Sequence, residues 1–149
     1  MRLPSPFSYF PLAACVLACM CLAACNDGEK SIDGDVRISP ELQSKIAPSA
    51  ALYIIARPEG MAMGPPLAVK RLPQPFSFPV QFSISAKDAM MPDAQFSGKI
   101  TIRARVAQSG AAIPASPGDL EGTSKPSSVE PGKAKIEIVL DHVRAGGEP

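Results

Sequence analysis

The chain has 149 residues, one small domain's worth of polypeptide. Its 15 Lys+Arg against 14 Asp+Glu give a net charge of +1, which excludes a charge-driven attraction to nucleic acid or to an acidic bilayer. All four cysteines, Cys15, Cys19, Cys21 and Cys25, lie in the first stretch, so the rest of the chain has no disulfide and must hold itself together by packing.

That first stretch, "MRLPSPFSYFPLAACVLACMCLAAC", has one positive charge, Arg2, an apolar run from Leu12 to Ala24 and small residues before Cys25. This is the layout of a secretory signal over residues 1–24, and the run is short for a bilayer span. Leu22-Ala23-Ala24-Cys25 resembles the lipobox of bacterial lipoproteins, in which cleavage before the cysteine accompanies attachment of a diacylglycerol to its sulfur. A plain signal cut nearby and an uncleaved anchor are the alternatives. An acylated Cys25 leaves no free thiol, and its chains add about 0.8 kcal/mol of membrane affinity per buried methylene. Residues 25–35, polar and rich in Gly and Asp, suit a flexible tether, and Asp33 and Asp35 lack the spacing of a calcium loop.

A folded domain is expected over residues 36–145, with a tail at 146–149. Val36 to Ile38 opens a first strand, and Ser39-Pro40-Glu41 offers an N-cap, a proline at the first helical position and an early acid, so a short helix is expected near residues 40–46. "ALYIIAR" and "PLAVKRL" are short, β-branched runs bounded by Pro or Gly and are read as strands. In "PFSFPVQFSIS", Phe76, Phe78, Val80, Phe82 and Ile84 alternate with polar residues, the period of a strand with one buried face; Pro79 cannot donate to a ladder, which points to an edge or a bulge. "KITIRARVAQ" turns Ile100, Ile102, Ala104 and Val106 inward and Thr101, Arg103 and Arg105 outward. Gly110 to Gly132 is a long connection, and "KAKIEIVLDHV" closes the pattern through Ala134, Ile136, Ile138 and Leu140. About seven short strands separated by proline-rich loops predict an all-β antiparallel sandwich, with a small barrel as competitor.

Four stretches, "ALYIIARPEGMAMGPPLAVKRLP", "DAMMPDAQFSG", "ITIRARVAQSGAAIPASPGDLEGTSKP" and "IEIVLD", together resemble the C-terminal periplasmic domain of CycH-type cytochrome c biogenesis proteins. The resemblance implies an immunoglobulin-like fold, a place in haem ligation in the cell envelope, and a protein partner, either an apocytochrome c or a haem-ligation component. It also implies that Leu120 of "PGDLEG" tucks inward. The family's usual membrane helices and helical repeats are replaced here by Cys25, so the expected membrane contact is the lipid, facing the periplasm, with inner and outer membrane both open.

Site chemistry is sparse. The one histidine, His142, follows Asp141 in a predicted strand, where neighbours point to opposite faces and cannot form a triad. No phosphate loop or zinc motif is present, and neither an enzyme nor a cofactor is expected. Met90, Met91 and the stiffening Pro92 sit in a loop and can present polarizable apolar surface to a polypeptide. Arg57, Arg103 and Arg105, with Lys70 and Arg71 on neighbouring strands, form either a candidate basic face for carboxylates or an ordinary solvated sheet surface with acids such as Glu137 across from it. The alternative ligand is Cu(I), held by the thioethers of Met61, Met63, Met90 and Met91 with His142. A structural spacer is the third reading.

Overall fold

A computed structural model describes residues 29–133 and 135–146. The leader, the lipobox, Cys25 and Ala134 lie outside the described residues. The chain forms eight strands: β1 Ile32–Ile38, β2 Ala51–Pro58, β3 Ala68–Pro73, β4 Val80–Ile84, β5 Ile100–Ala107, β6 Leu120–Lys125, β7 Ile136–Leu140 and β8 His142–Val143. One short helix, α1 at Pro40–Gln43, and a 3-10 turn at Ala86–Asp88 complete the elements. Among the described residues no helix is long and apolar enough to cross a membrane.

The strands follow the order β3-β2-β5-β6-β7-β1-β4, with β8 added on β6. This path folds over on itself, so that β3, β2 and β5 form one layer and β7, β1 and β4 the other, around one core. Strand β6 belongs to both layers: Leu120 to Thr123 pair with β5, while Ser124 and Lys125 pair with β7. The hinge of this crossing is Gly122, where a Cβ would stand 2.1 Å from the carbonyl oxygen of Val139, closer than any side chain permits. Fully buried Leu52, Ile54, Ile84, Ile100, Ile102, Leu120, Ile138 and Leu140 fill the space between the layers. This confirms the all-β immunoglobulin-like sandwich and the inward place of Leu120.

Five details differ from the expectation, the first being strand β6, Leu120–Lys125, inside the expected Gly110 to Gly132 connection. The pairing is mixed, because β1 runs parallel to β7. The two are separated by most of the domain, which gives the chain room for the crossover that parallel neighbours need. The folded part starts four residues before Val36: Ile32, Gly34 and Val36 face inward while Asp33 and Asp35 face out, so the last four residues of the expected tether are strand. The helix is one turn, anchored by buried Leu42, and does not extend to Ile46. Finally, β4 starts only at Val80, after the proline that cannot donate, and Phe76 and Phe78 precede it as an edge-to-face pair with centroids 5.6 Å apart. As Pro79 suggested, β4 is an edge strand.

Candidate partner-binding surface

One end of the sandwich carries the methionines. Register places Pro58, the end of β2, opposite Ile100, the start of β5, so the loops after β2, β4 and β6 all emerge there. They are stitched by backbone bonds: Glu59 N–H donates to the Lys99 carbonyl at 2.9 Å, Met90 N–H to Leu67 at 3.0 Å, and Ile100 and Val129 exchange bonds of 2.9 Å. The loop after β4 is further fixed by a capping box, in which Ser85 Oγ accepts from Lys87 N–H at 3.2 Å and Ser85 N–H donates to Asp88 Oδ2 at 3.0 Å. The Ser85-x-x-Asp88 spacing was the sequence signal for this box, and reading the segment as loop passed over it.

On this fixed frame the thioethers stand free. Met61 is 56% exposed, Met63 84%, Met90 57% and Met91 50%, so both members of the adjacent pair face outward. Neither methionine of the pair is therefore buried beneath the loop that carries it.

The chain's entry lies against the same end. Glu29 Oε1 accepts from Ser85 Oγ at 2.8 Å and from Lys87 N–H at 2.9 Å, and its other oxygen is 2.6 Å from Lys87 Nζ. The Lys87 ammonium, followed by the Ser85 hydroxyl, holds the Glu29 carboxyl below its ordinary value, and Glu29 in turn raises Lys87. Gly132 N–H adds a bond to the Ser31 carbonyl at 2.7 Å.

From the methionine end a groove of about 350 Å³ runs onto the outer face of β2, β5 and β6, lined by Arg57, Gly60, Met61, Thr101, Arg103 and Thr123. It joins a second hollow of about 470 Å³, with which it shares Arg103 and Thr123 and which reaches His142 and Asp141. Arg57 also donates to the Gly64 carbonyl, tying the guanidinium to the methionine loop. Arg103 is exposed, with Thr123 as its register partner on β6.

Arg105 points to the same side of β5 but does not line the groove. Its side chain is only 12% exposed, its guanidinium lies 5.9 Å from the centre of the Tyr53 ring, it donates to Ala112, and its Nε is 3.7 Å from Asp119. Asp119 is 1% exposed and also accepts from Gln108 N–H and Ser116 N–H, each at 3.0 Å. Arg105 is therefore part of a buried polar joint at the opposite end of the sheet, and Asp119 is a structural residue that the sequence marked only as part of a turn. Lys70 reaches across the open edge to the Ser83 carbonyl at 2.7 Å, and Arg71 donates to Tyr53 OH at 3.1 Å. Glu137 is in the other layer, 3.0 Å from Arg37, and does not face the basic groove.

His142 pairs in register with Glu121, and Glu121 with Arg105, whereas Met61 borders the groove beside Thr101. Four residues of β5 separate those two rows, about 13 Å at the strand rise, so the histidine is not gathered with the methionines. Among the described residues no cluster of three His, Cys, Asp or Glu side chains is placed to hold a metal. The surface thus offers two guanidinium groups and a thioether rim, a set suited to carboxylates and apolar side chains of an extended chain.

Comparison with known proteins gives one family. A family model described as the cytochrome c-type biogenesis protein H Ig-like domain matches residues 32–141. A solved structure of an alternative pilotin from the type II secretion system of Vibrio cholerae aligns with 76% of this chain and 97% of its own, at 12% identity and a TM-score of 0.45. No curated relative matches.

Proposed function

The chain belongs to the family of cytochrome c-type biogenesis protein H Ig-like domains, and from that premise we propose that it is a lipid-anchored, periplasm-facing module that holds a polypeptide during cytochrome c maturation. The observation that carries this reading is the groove of Arg57, Arg103 and Met61, which opens beside the loop after β2. A reduced, unfolded apocytochrome c offers what such a surface recognises, apolar side chains for the thioethers and carboxylates for the guanidinium groups. The module has no catalytic residue in this reading. Its contribution is to restrain an extended chain, and the backbone bonds that fix its loops reduce the ordering cost of doing so. Acylation of Cys25 supplies the anchor.

The test is fluorescence anisotropy of a labelled, reduced apocytochrome c titrated with the acylated protein in lipid nanodiscs. Arg103→Glu, which reverses an exposed charge in the groove, is expected to weaken binding by about tenfold, equivalent to about 1.4 kcal/mol. Undiminished binding by Arg103→Glu and Met61→Ser together overturns the assignment of the groove. Stoichiometric Cu(I) uptake lost in Met90→Leu/Met91→Leu establishes the metal reading in its place.

A further inference from the structure

We infer that the methionine end of the sandwich rests on an uncharged phospholipid surface, with Met63, Met90 and Met91 as its contact points. The inference goes beyond polypeptide binding and rests on the acylation of Cys25 proposed above. Its basis is the length of chain between the anchor and the fold. Glu29 is tied to Ser85 and Lys87, and Ser31 to Gly132, so the polypeptide enters the domain at the methionine loops and not at the far end. Three residues separate Cys25 from Glu29, and the four chain steps between them span at most about 14 Å when extended. An acyl chain on Cys25 therefore keeps this end at headgroup level, while the opposite end, about 24 Å away along the eight residues of β5, points into the periplasm.

The chemistry of the end agrees with that orientation. Three of its lysines are paired with carboxylates, Lys87 at 2.6 Å from Glu29, Lys99 at 3.9 Å from Glu59 and Lys70 at 3.8 Å from Asp88, while Arg57 and Asp93, which form no ion pair among the described residues, leave one charge of each sign. Beside them stands thioether: Met63 is the most exposed of the methionines at 84%, and Met90 and Met91 stand on the adjoining loop. Flexible, polarizable side chains beside charges that are mostly paired favour the boundary between headgroups and acyl chains without needing anionic lipid. Groove residues Arg57, Arg103 and Thr123 extend away from this contact along the strands, which leaves them open to a polypeptide passing close to the membrane surface.

The experiment places one cysteine at a time, Met63→Cys, Met91→Cys or Ile113→Cys, in the full acylated protein and labels it with an environment-sensitive fluorophore. Ile113 serves as the far-end reference, being 86% exposed in the loop between β5 and β6. The labelled proteins are reconstituted in phosphatidylcholine vesicles with and without headgroup-attached nitroxide lipid. Several-fold stronger quenching at positions 63 and 91 than at 113 is expected, and Met90→Asp/Met91→Asp should reduce the quenching at 63 while leaving thermal unfolding unchanged. Equal quenching at both ends overturns the inference, as does an intact mass that lacks a diacylglycerol on Cys25. No polypeptide is present in this assay, so loss of apocytochrome binding with lipid quenching intact refutes the groove alone.

Discussion

Replacing Asp119 by alanine removes the centre of the joint that fixes the far end of the sandwich. The carboxylate is 1% exposed and accepts two backbone bonds of 3.0 Å, from Gln108 and Ser116. Each buried N–H left without an acceptor costs about 1–3 kcal/mol. Arg105 Nε, 3.7 Å away on a side chain 12% exposed, loses its counter-charge. Breaking a buried pair from one side typically costs about 3–5 kcal/mol. These terms count the same carboxylate and overlap, so Asp119→Ala should destabilise the domain by about 4 kcal/mol, a large part of the roughly 5–15 kcal/mol that a domain possesses. Asp119→Asn keeps one acceptor oxygen and should lose about half as much. In the double variant Asp119→Ala/Arg105→Met the stranded charge is gone, and part of the loss should return as a coupling between the sites. Urea unfolding followed by far-UV circular dichroism measures all three. A change below about 1 kcal/mol in Asp119→Ala, at unchanged slope, would refute the joint.

Further outcomes follow from other close contacts. Gly122→Ala should cost about 3 kcal/mol or more, because the added Cβ meets Val139 backbone at 2.1 Å; Gly60→Ala, with φ +80 and open space around it, should cost only about 1–2 kcal/mol, and urea midpoints compare the two. Leu120→Ser, at a fully buried position, should lower the thermal midpoint and cost about 2–5 kcal/mol, in the range of Leu truncations. The contact between Glu29 and Lys87 should depend on pH in a fixed direction. Glu29 is depressed, so the contact is complete above the ordinary Glu range and is lost as pH falls through the lowered value; Lys87 is raised, so it is lost again as pH rises through that value. Hydrogen exchange at the Lys87 amide should accelerate beyond its intrinsic pH dependence at the acidic limit, and Glu29→Gln should abolish that acidic transition.

The strands that alternate cleanly could be read directly. In β5 and β7 a large aliphatic residue occupies most inward positions, and period two suffices to place them. Strand β6 was hidden because its inward positions after Leu120 are Gly122 and Ser124, chosen for close approach at the crossing and not for apolar volume. The start of β1 was hidden for the same reason. A Cβ at Gly34 would lie 2.5 Å from the Ile136 carbonyl, so the inward residue there is a glycine, and Asp33-Gly34-Asp35 looked like tether. The candidate site shows a different limit. Arg103 and Arg105 are equivalent by strand period, and only Asp119, brought from a distant turn, makes one a structural group and leaves the other in the groove. Methionine exposure was likewise invisible to periodicity, since it is set by how three loops are stitched together at one end.

Site-specific photocrosslinking tests the central claim most directly. A benzophenone amino acid at position 61, on the rim of the groove, should trap reduced apocytochrome c in cells assembling cytochromes, whereas the same group at position 113, more exposed still at the far end, should not. Equal capture at both positions, or none at position 61, would contradict the account.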